Sequence, residues 1–141
     1  MLYISYYLKK YRTEYYDRLQ AVRDTGEWEG WLKFFLRGVY EVAQEASTTA
    51  RRIVNMKEEH QQILIDRMGR RAGKAITLLE KLYFRPIITV EQVQEIIQLS
   101  YPNANTLVKD ICELGILQEI TGQKRNRAFA YQPFLEIFKD D

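Results

Sequence analysis

Proline and glycine are scarce. Only 3 prolines and 7 glycines occur in 141 residues, and that total of 10 is about 7%, against roughly 12% in average proteins. An all-β sandwich needs turn residues at short intervals, so this composition argues against one and leaves long segments free to be helical. Cysteine and histidine occur once each, at Cys112 and His60. One thiol cannot close an internal disulfide, and one Cys with one His cannot supply a zinc site, so no metal site is expected. No apolar run approaches the ~18 residues of a membrane span, and no signal peptide opens the chain. A cytoplasmic chain with no membrane partner is therefore expected. Excess charge is missing too: 21 basic and 19 acidic side chains leave +2. It is also evenly spread, with 10 basic and 9 acidic residues up to His60 and 11 and 10 thereafter. Any contact with a polyanion has to rest on a local patch.

Apolar residues are plentiful. They make up 46% of the chain and include 2 Trp, 10 Tyr and 6 Phe, which excludes disorder and can build a core. The length suits one ordinary domain or two small ones.

Periodicity organises the first half. Ile4, Leu8, Tyr11, Tyr15, Leu19 and Val22 recur at steps of three and four, which predicts one helical face. Asp24-Thr25-Gly26 breaks the pattern and offers caps for a second helix, which runs from about Glu27 through Trp28, Trp31, Leu32, Phe35, Val39, Val42 and Ala43 to Ala46. Phe34 and Leu36 fall outside its main stripe, so this helix needs neighbours on more than one side. The stretch from Thr49 to Met68 is polar with a thin stripe at Ile53, Met56, Ile63 and Leu64, the pattern of a connector or helix-pairing segment. Gly69 and Gly73 flank Arg70-Arg71 as the expected hinge. The predicted division is therefore a helical part over residues 1–70 and a second domain over 71–141.

The second half predicts a mainly α winged helix-turn-helix with a small β-hairpin. Ala75, Ile76, Leu78, Leu79 and Leu82 give a helix stopped before Arg85-Pro86. Thr89-Val90-Glu91-Gln92 has the form of a capping box and opens a second helix. Ser100-Tyr101-Pro102 opens a third, which buries Ala104, Leu107, Val108, Ile111 and Leu114 and stops at Gly115. Residues Ile116–Ile120 and Ala128–Tyr131 read as two strands around a basic tip, and Phe134–Phe138 as a closing turn. The outward face of the third helix then carries Asn103, Asn105, Thr106 and Lys109, types that bond base edges and phosphates. Lys124, Arg125 and Arg127 on the hairpin would straddle an adjacent DNA backbone. Asp110 and Glu113 share the helix face and would repel phosphate, and the same fold also serves as a protein-docking module.

One resemblance spans nearly the whole chain. Tyr3-Ile4-Ser5, Tyr11-Arg12-Thr13-Glu14-Tyr15-Tyr16 and the run from Leu19 through Gly26-Glu27-Trp28-Glu29-Gly30-Trp31 to Leu36 resemble the C-terminal end of the Fic domain, named for filamentation induced by cyclic AMP. Longer bacterial members continue through a helical connector into a winged helix. The resemblance implies a parent that transfers AMP from ATP, with Mg, to a hydroxyl of a target protein. The family's catalytic loop, His-Pro-Phe-x-(Asp/Glu)-Gly-Asn-Gly-Arg, does not occur in this sequence, since His60 follows Lys57-Glu58-Glu59. The resemblance thus implies a non-catalytic C-terminal region without a cofactor of its own, and Tyr11, where the family often has Asn before Arg, assigns no nucleotide contact.

Two functions follow as expectations. One is binding of double-stranded DNA, or regulation and targeting of the parent enzyme, by the winged helix. The other is a protein-interaction module that homodimerises through the helical half. For the remaining candidates the plain readings are a solvated helix histidine at His60, a partly buried side chain at Cys112, core packing for Trp28, Trp31, Phe34 and Phe35, and ordinary surface for Arg51-Arg52 and Arg70-Arg71.

Overall fold

A computed structural model describes residues 4–139 and shows a mainly helical chain with one small antiparallel sheet. Tyr3, part of the Fic-like run, lies outside the described residues. Two compact units divide between Arg51 and Arg52. No helix among the described residues is long and apolar enough to cross a membrane.

The first unit comprises α1 (Ile4–Lys10), α2 (Arg12–Thr25) and the beginning of α3 (Trp28–Met68). The predicted single face from Ile4 to Val22 is interrupted at Tyr11, whose φ of −105° and ψ of 41° leave the helical region. Tyr7 is the residue that α1 buries, packed on the Phe34 ring at 5.4 Å between centroids, while Tyr11 and Leu19 are exposed. A Cβ at Gly38 would lie 2.4 and 2.6 Å from two Tyr7 ring carbons, so only glycine lets the ring lie this close. Phe34, Gly38 and Val42 therefore form the buried line of α3, each four residues from the next. This corrects the predicted stripe. Phe34 is inside, whereas Trp28, Leu32 and Val39 are open to solvent, because Tyr7 claims the other side of the helix. Neither Asp24 nor Thr25 caps α3; the Glu27 carboxylate accepts the Gly30 N–H at 3.0 Å, and the Thr25 hydroxyl donates back to Ala21 O.

Nothing stops α3 at Ala46. The two predicted helices are one of 41 residues, since Ser47-Thr48-Thr49 lowers propensity without introducing a breaker. A 3₁₀ turn, Gly69–Arg71, follows it at the expected hinge. The last turns of α3 nevertheless belong to the second unit's core, with Leu64 and Met68 buried in it. That is why the second compact unit begins at Arg52, upstream of the hinge.

In the second unit, α4 (Ala72–Leu82), α5 (Val90–Ile97) and α6 (Tyr101–Glu113) pack around Leu78, Leu79, Val93, Leu107, Val108 and Ile111. The capping box forms as read: Gln92 N–H donates to Thr89 Oγ1 at 3.3 Å, and Gln92 Oε1 accepts from the Thr89 N–H at 3.0 Å. Pro102 stands in the first turn of α6. The sheet has the order β1-β3-β2, from β1 (Ile87–Thr89), β2 (Gln118–Glu119) and β3 (Ala128–Ala130). Only two strands were predicted; β1 is three residues long, too short for an alternation to show. β2 is likewise shorter than Ile116–Ile120, because Ile116 and Leu117 enter the core before pairing begins. The closing segment is α7 (Gln132–Ile137).

His60 is not solvated. It is buried on α3 with Nδ1 2.6 Å from Tyr131 Oη, which in turn lies 3.3 Å from Tyr83 Oη. Tyr131 is fully buried and stacks on Phe134. Burial pushes the His60 imidazole below its ordinary value, opposed by the neighbouring Glu59 carboxylate.

Two outcomes follow for stability. Gly38→Ala should cost about 1–3 kcal/mol in urea denaturation, because the Tyr7 ring must retreat. For His60 the depressed folded value fixes the sign: the unfolded chain takes up a proton below pH 6.5 before the folded one does. Its contribution is complete above pH 6.5 and is lost as pH falls below it, at most about 1.4 kcal/mol per pH unit. Urea midpoints between pH 7 and 5 should fall more steeply for the native chain than for His60→Gln; equal slopes would refute the assignment.

Candidate nucleic-acid interface

Burial of Ala104, Leu107, Val108 and Ile111 fixes the roll of α6 and turns the opposite face outward. Asn103, Thr106, Lys109 and Glu113 are exposed on it, while Asn105 and Asp110 are half-buried at its edges. The Thr106 hydroxyl donates to Pro102 O at 2.9 Å, which spends its hydrogen and leaves its lone pairs free to accept.

The edges are tied to other elements. Asn105 Oδ1 accepts from Arg127 Nη2, a bond between α6 and the hairpin, and the Arg127 guanidinium lies 5.5 Å from the Phe129 ring centroid. On the other edge Arg71 Nη1 pairs with Asp110 Oδ2. The acid that would have repelled phosphate is thus neutralised by an arginine that reads, in sequence, as ordinary surface. Thirty-nine positions separate Arg71 from Asp110 (110 minus 71), so no local pattern announces the pair. Glu113 remains an exposed carboxylate on this face.

Beyond β2 the chain turns through Gly122 (φ 59°) and Asn126 (φ 51°) and returns as β3. Ile120 N–H donates to Ala128 O at 3.0 Å, and Thr121 Oγ1 accepts from the Ala128 N–H at 3.2 Å, so both ends of the loop are held. Lys124 and Arg125 stand exposed between them. A shallow cleft of about 400 Å³ lies beside the loop, lined by Glu119, Gly122, Gln123, Lys124 and Arg127.

The structure therefore divides the seven residues that the sequence nominated. Asn103, Lys109, Lys124 and Arg125 are exposed and open to a ligand, Thr106 keeps its acceptor capacity, and Asn105 and Arg127 hold each other. Cys112 on α6 is half-buried, and burial, aided by Glu119, pushes its thiol up to about 11, so at neutral pH it stays protonated. No group of three His, Cys, Asp or Glu side chains placed to hold a metal occurs among the described residues. No family model matches this chain.

The tie between α6 and the hairpin generates a test. Arg127→Ala should leave the core intact yet raise amide hydrogen exchange over residues 121–127. Unchanged exchange there would show that the strand pairing alone holds the loop.

Proposed function

We propose that the second unit is a winged helix-turn-helix module that binds double-stranded DNA, with α6 as its recognition helix and the β2–β3 hairpin as its wing. The order α4, β1, α5, α6, β2, β3 supports this reading, as does the antiparallel sheet in which β3 lies between β1 and β2. The observation that carries it is electrostatic: Lys109, Lys124 and Arg125 are exposed while Arg71 cancels the nearest acid of the same helix. In this reading the three cations hold phosphates, and Asn103 and Thr106 approach base edges. Asn105 and Arg127 set the angle of the wing. Residues 4–51 belong, on the Fic-like sequence runs alone, to the non-catalytic end of an AMP-transferase, and the chain itself transfers no AMP. The module then brings that enzyme to DNA.

Fluorescence anisotropy of a labelled duplex tests the proposal. With three phosphate contacts per chain, log affinity should fall with log salt at a slope of about −2.7. Lys109→Ala should reduce that slope by about 0.9 and weaken unrelated sequences equally. Glu113→Gln should strengthen binding, most at low salt. No binding at low salt, or a slope untouched by Lys109→Ala and by Arg125→Ala, would refute the reading.

A further inference from the structure

Two arginines reach α6 from opposite sides. At about 100° per residue, Asn105 and Asp110 stand roughly 140° apart around the helix axis. Arg127 of the hairpin holds the first and Arg71 holds the second. Lys109, Glu113 and Thr106 fall in the arc between them. The outward face of α6 is therefore bordered by the hairpin along one edge and by the 3₁₀ turn Gly69–Arg71 along the other.

That turn brings more than one cation. Gly69, with φ of 54°, ends α3 and redirects the chain. Arg71 keeps a helical backbone at φ −89° and ψ −6°, so Lys74 follows three residues later on the same side. Arg70, Arg71 and Lys74 are all exposed. Arg71 is taken up by Asp110, whereas neither Arg70 nor Lys74 pairs with a carboxylate among the described residues. Asp66, the acid nearest to them in sequence, accepts the Gln62 amide at 2.8 Å. Two uncompensated cations thus stand beside the edge of α6 that lies away from the hairpin.

A helix with its side chains is about 10–12 Å across and the major groove of duplex DNA about 12 Å wide, so a seated helix has one strand's backbone along each edge. We infer that Arg70 and Lys74 hold phosphates of the strand across the groove from the one that Lys124 and Arg125 hold. The Arg71–Asp110 pair keeps the turn at that edge. Glu113 lies near the middle of the arc, above the groove floor, and so opposes the contacts of neither strand. The inference rests on the DNA-binding reading and enlarges its phosphate set from three cations to five.

Fluorescence anisotropy of the full chain on a labelled duplex, across a salt series, separates the two. Five phosphate contacts predict a slope of log affinity against log salt of about −4.5, where the three of α6 and the hairpin give about −2.7. Arg70→Ala and Lys74→Ala should each lower the slope by about 0.9, and the double variant should return it to about −2.7. Both positions are exposed, so their urea midpoints should match the native chain's. Lys81, exposed seven residues beyond Lys74 on α4 (81 minus 74), is the control, and Lys81→Ala should leave the slope as it was. Binding with a slope near −2.7 that neither variant lowers would overturn the inference and leave the three-contact reading standing. An equal fall with Lys81→Ala would also overturn it, by reducing the effect to overall charge. No binding at low salt would remove both.

Discussion

Everything α6 presents outward depends on what it buries inward. Ala104 and Val108 have no exposed surface, and Leu107 and Ile111 have almost none. This inner line meets α4, α5 and the sheet in a single core, so α6 cannot roll without opening a cavity, at a cost of several kcal/mol. With the roll fixed, the outward set is fixed as well. The hairpin follows from the same core: Phe129 and Tyr131 are buried in it, which anchors β3 and leaves the intervening loop to project. Cationic side chains on a helix and on a separate loop act together only when both are held from within.

Buried polar groups then specify how the parts meet. His60, Tyr131 and Tyr83 form a chain of hydrogen-bonding groups that joins the last turns of α3 to the segment after β3 and to the end of α4. An apolar surface alone would tolerate α3 at several rotations about its axis; a buried imidazole facing a buried phenol tolerates one. Arg71 with Asp110 and Arg127 with Asn105 do similar work nearer the surface, at lower energy because solvent screens them more. These ties cost the face some of its chemistry. Asn105 and Arg127, two of the residues best suited to a nucleic acid, are occupied with each other.

Local signals were legible in the sequence and long-range ones were not. The capping box at Thr89, Pro102 in the first turn of α6, and the burial of Ala104, Leu107, Val108 and Ile111 each depend on residues a few places apart, and each formed as read; Leu114, expected inside with them, is half-buried because α6 ends one residue before it. The helical character of α3 was readable, but its continuity was not, because Ser47-Thr48-Thr49 resembles an interruption until neighbouring turns carry the helix through it. Strand β1 exists through its pairing with β3, some forty residues later, and leaves no periodic trace in its own three residues. His60 shows the same limit most sharply: among Lys57, Glu58, Glu59 and Gln61 it reads as surface, and only the Tyr131 hydroxyl, 71 positions away, explains why it is inside. Trp28, expected in the core together with Phe34, is exposed for a comparable reason, since Tyr7, the ring that covers Phe34, sits on another helix.

The central claim is that the outward face of α6 and the hairpin tip act as one surface toward duplex DNA. Backbone amide NMR of the chain titrated with a short duplex at low salt tests this most directly. The account predicts shifts concentrated at Asn103, Thr106 and Lys109 on α6 and at Gln123, Lys124 and Arg125 on the hairpin, saturating together with one affinity. Shifts confined to residues 4–51, or none in either α6 or the hairpin, would contradict it.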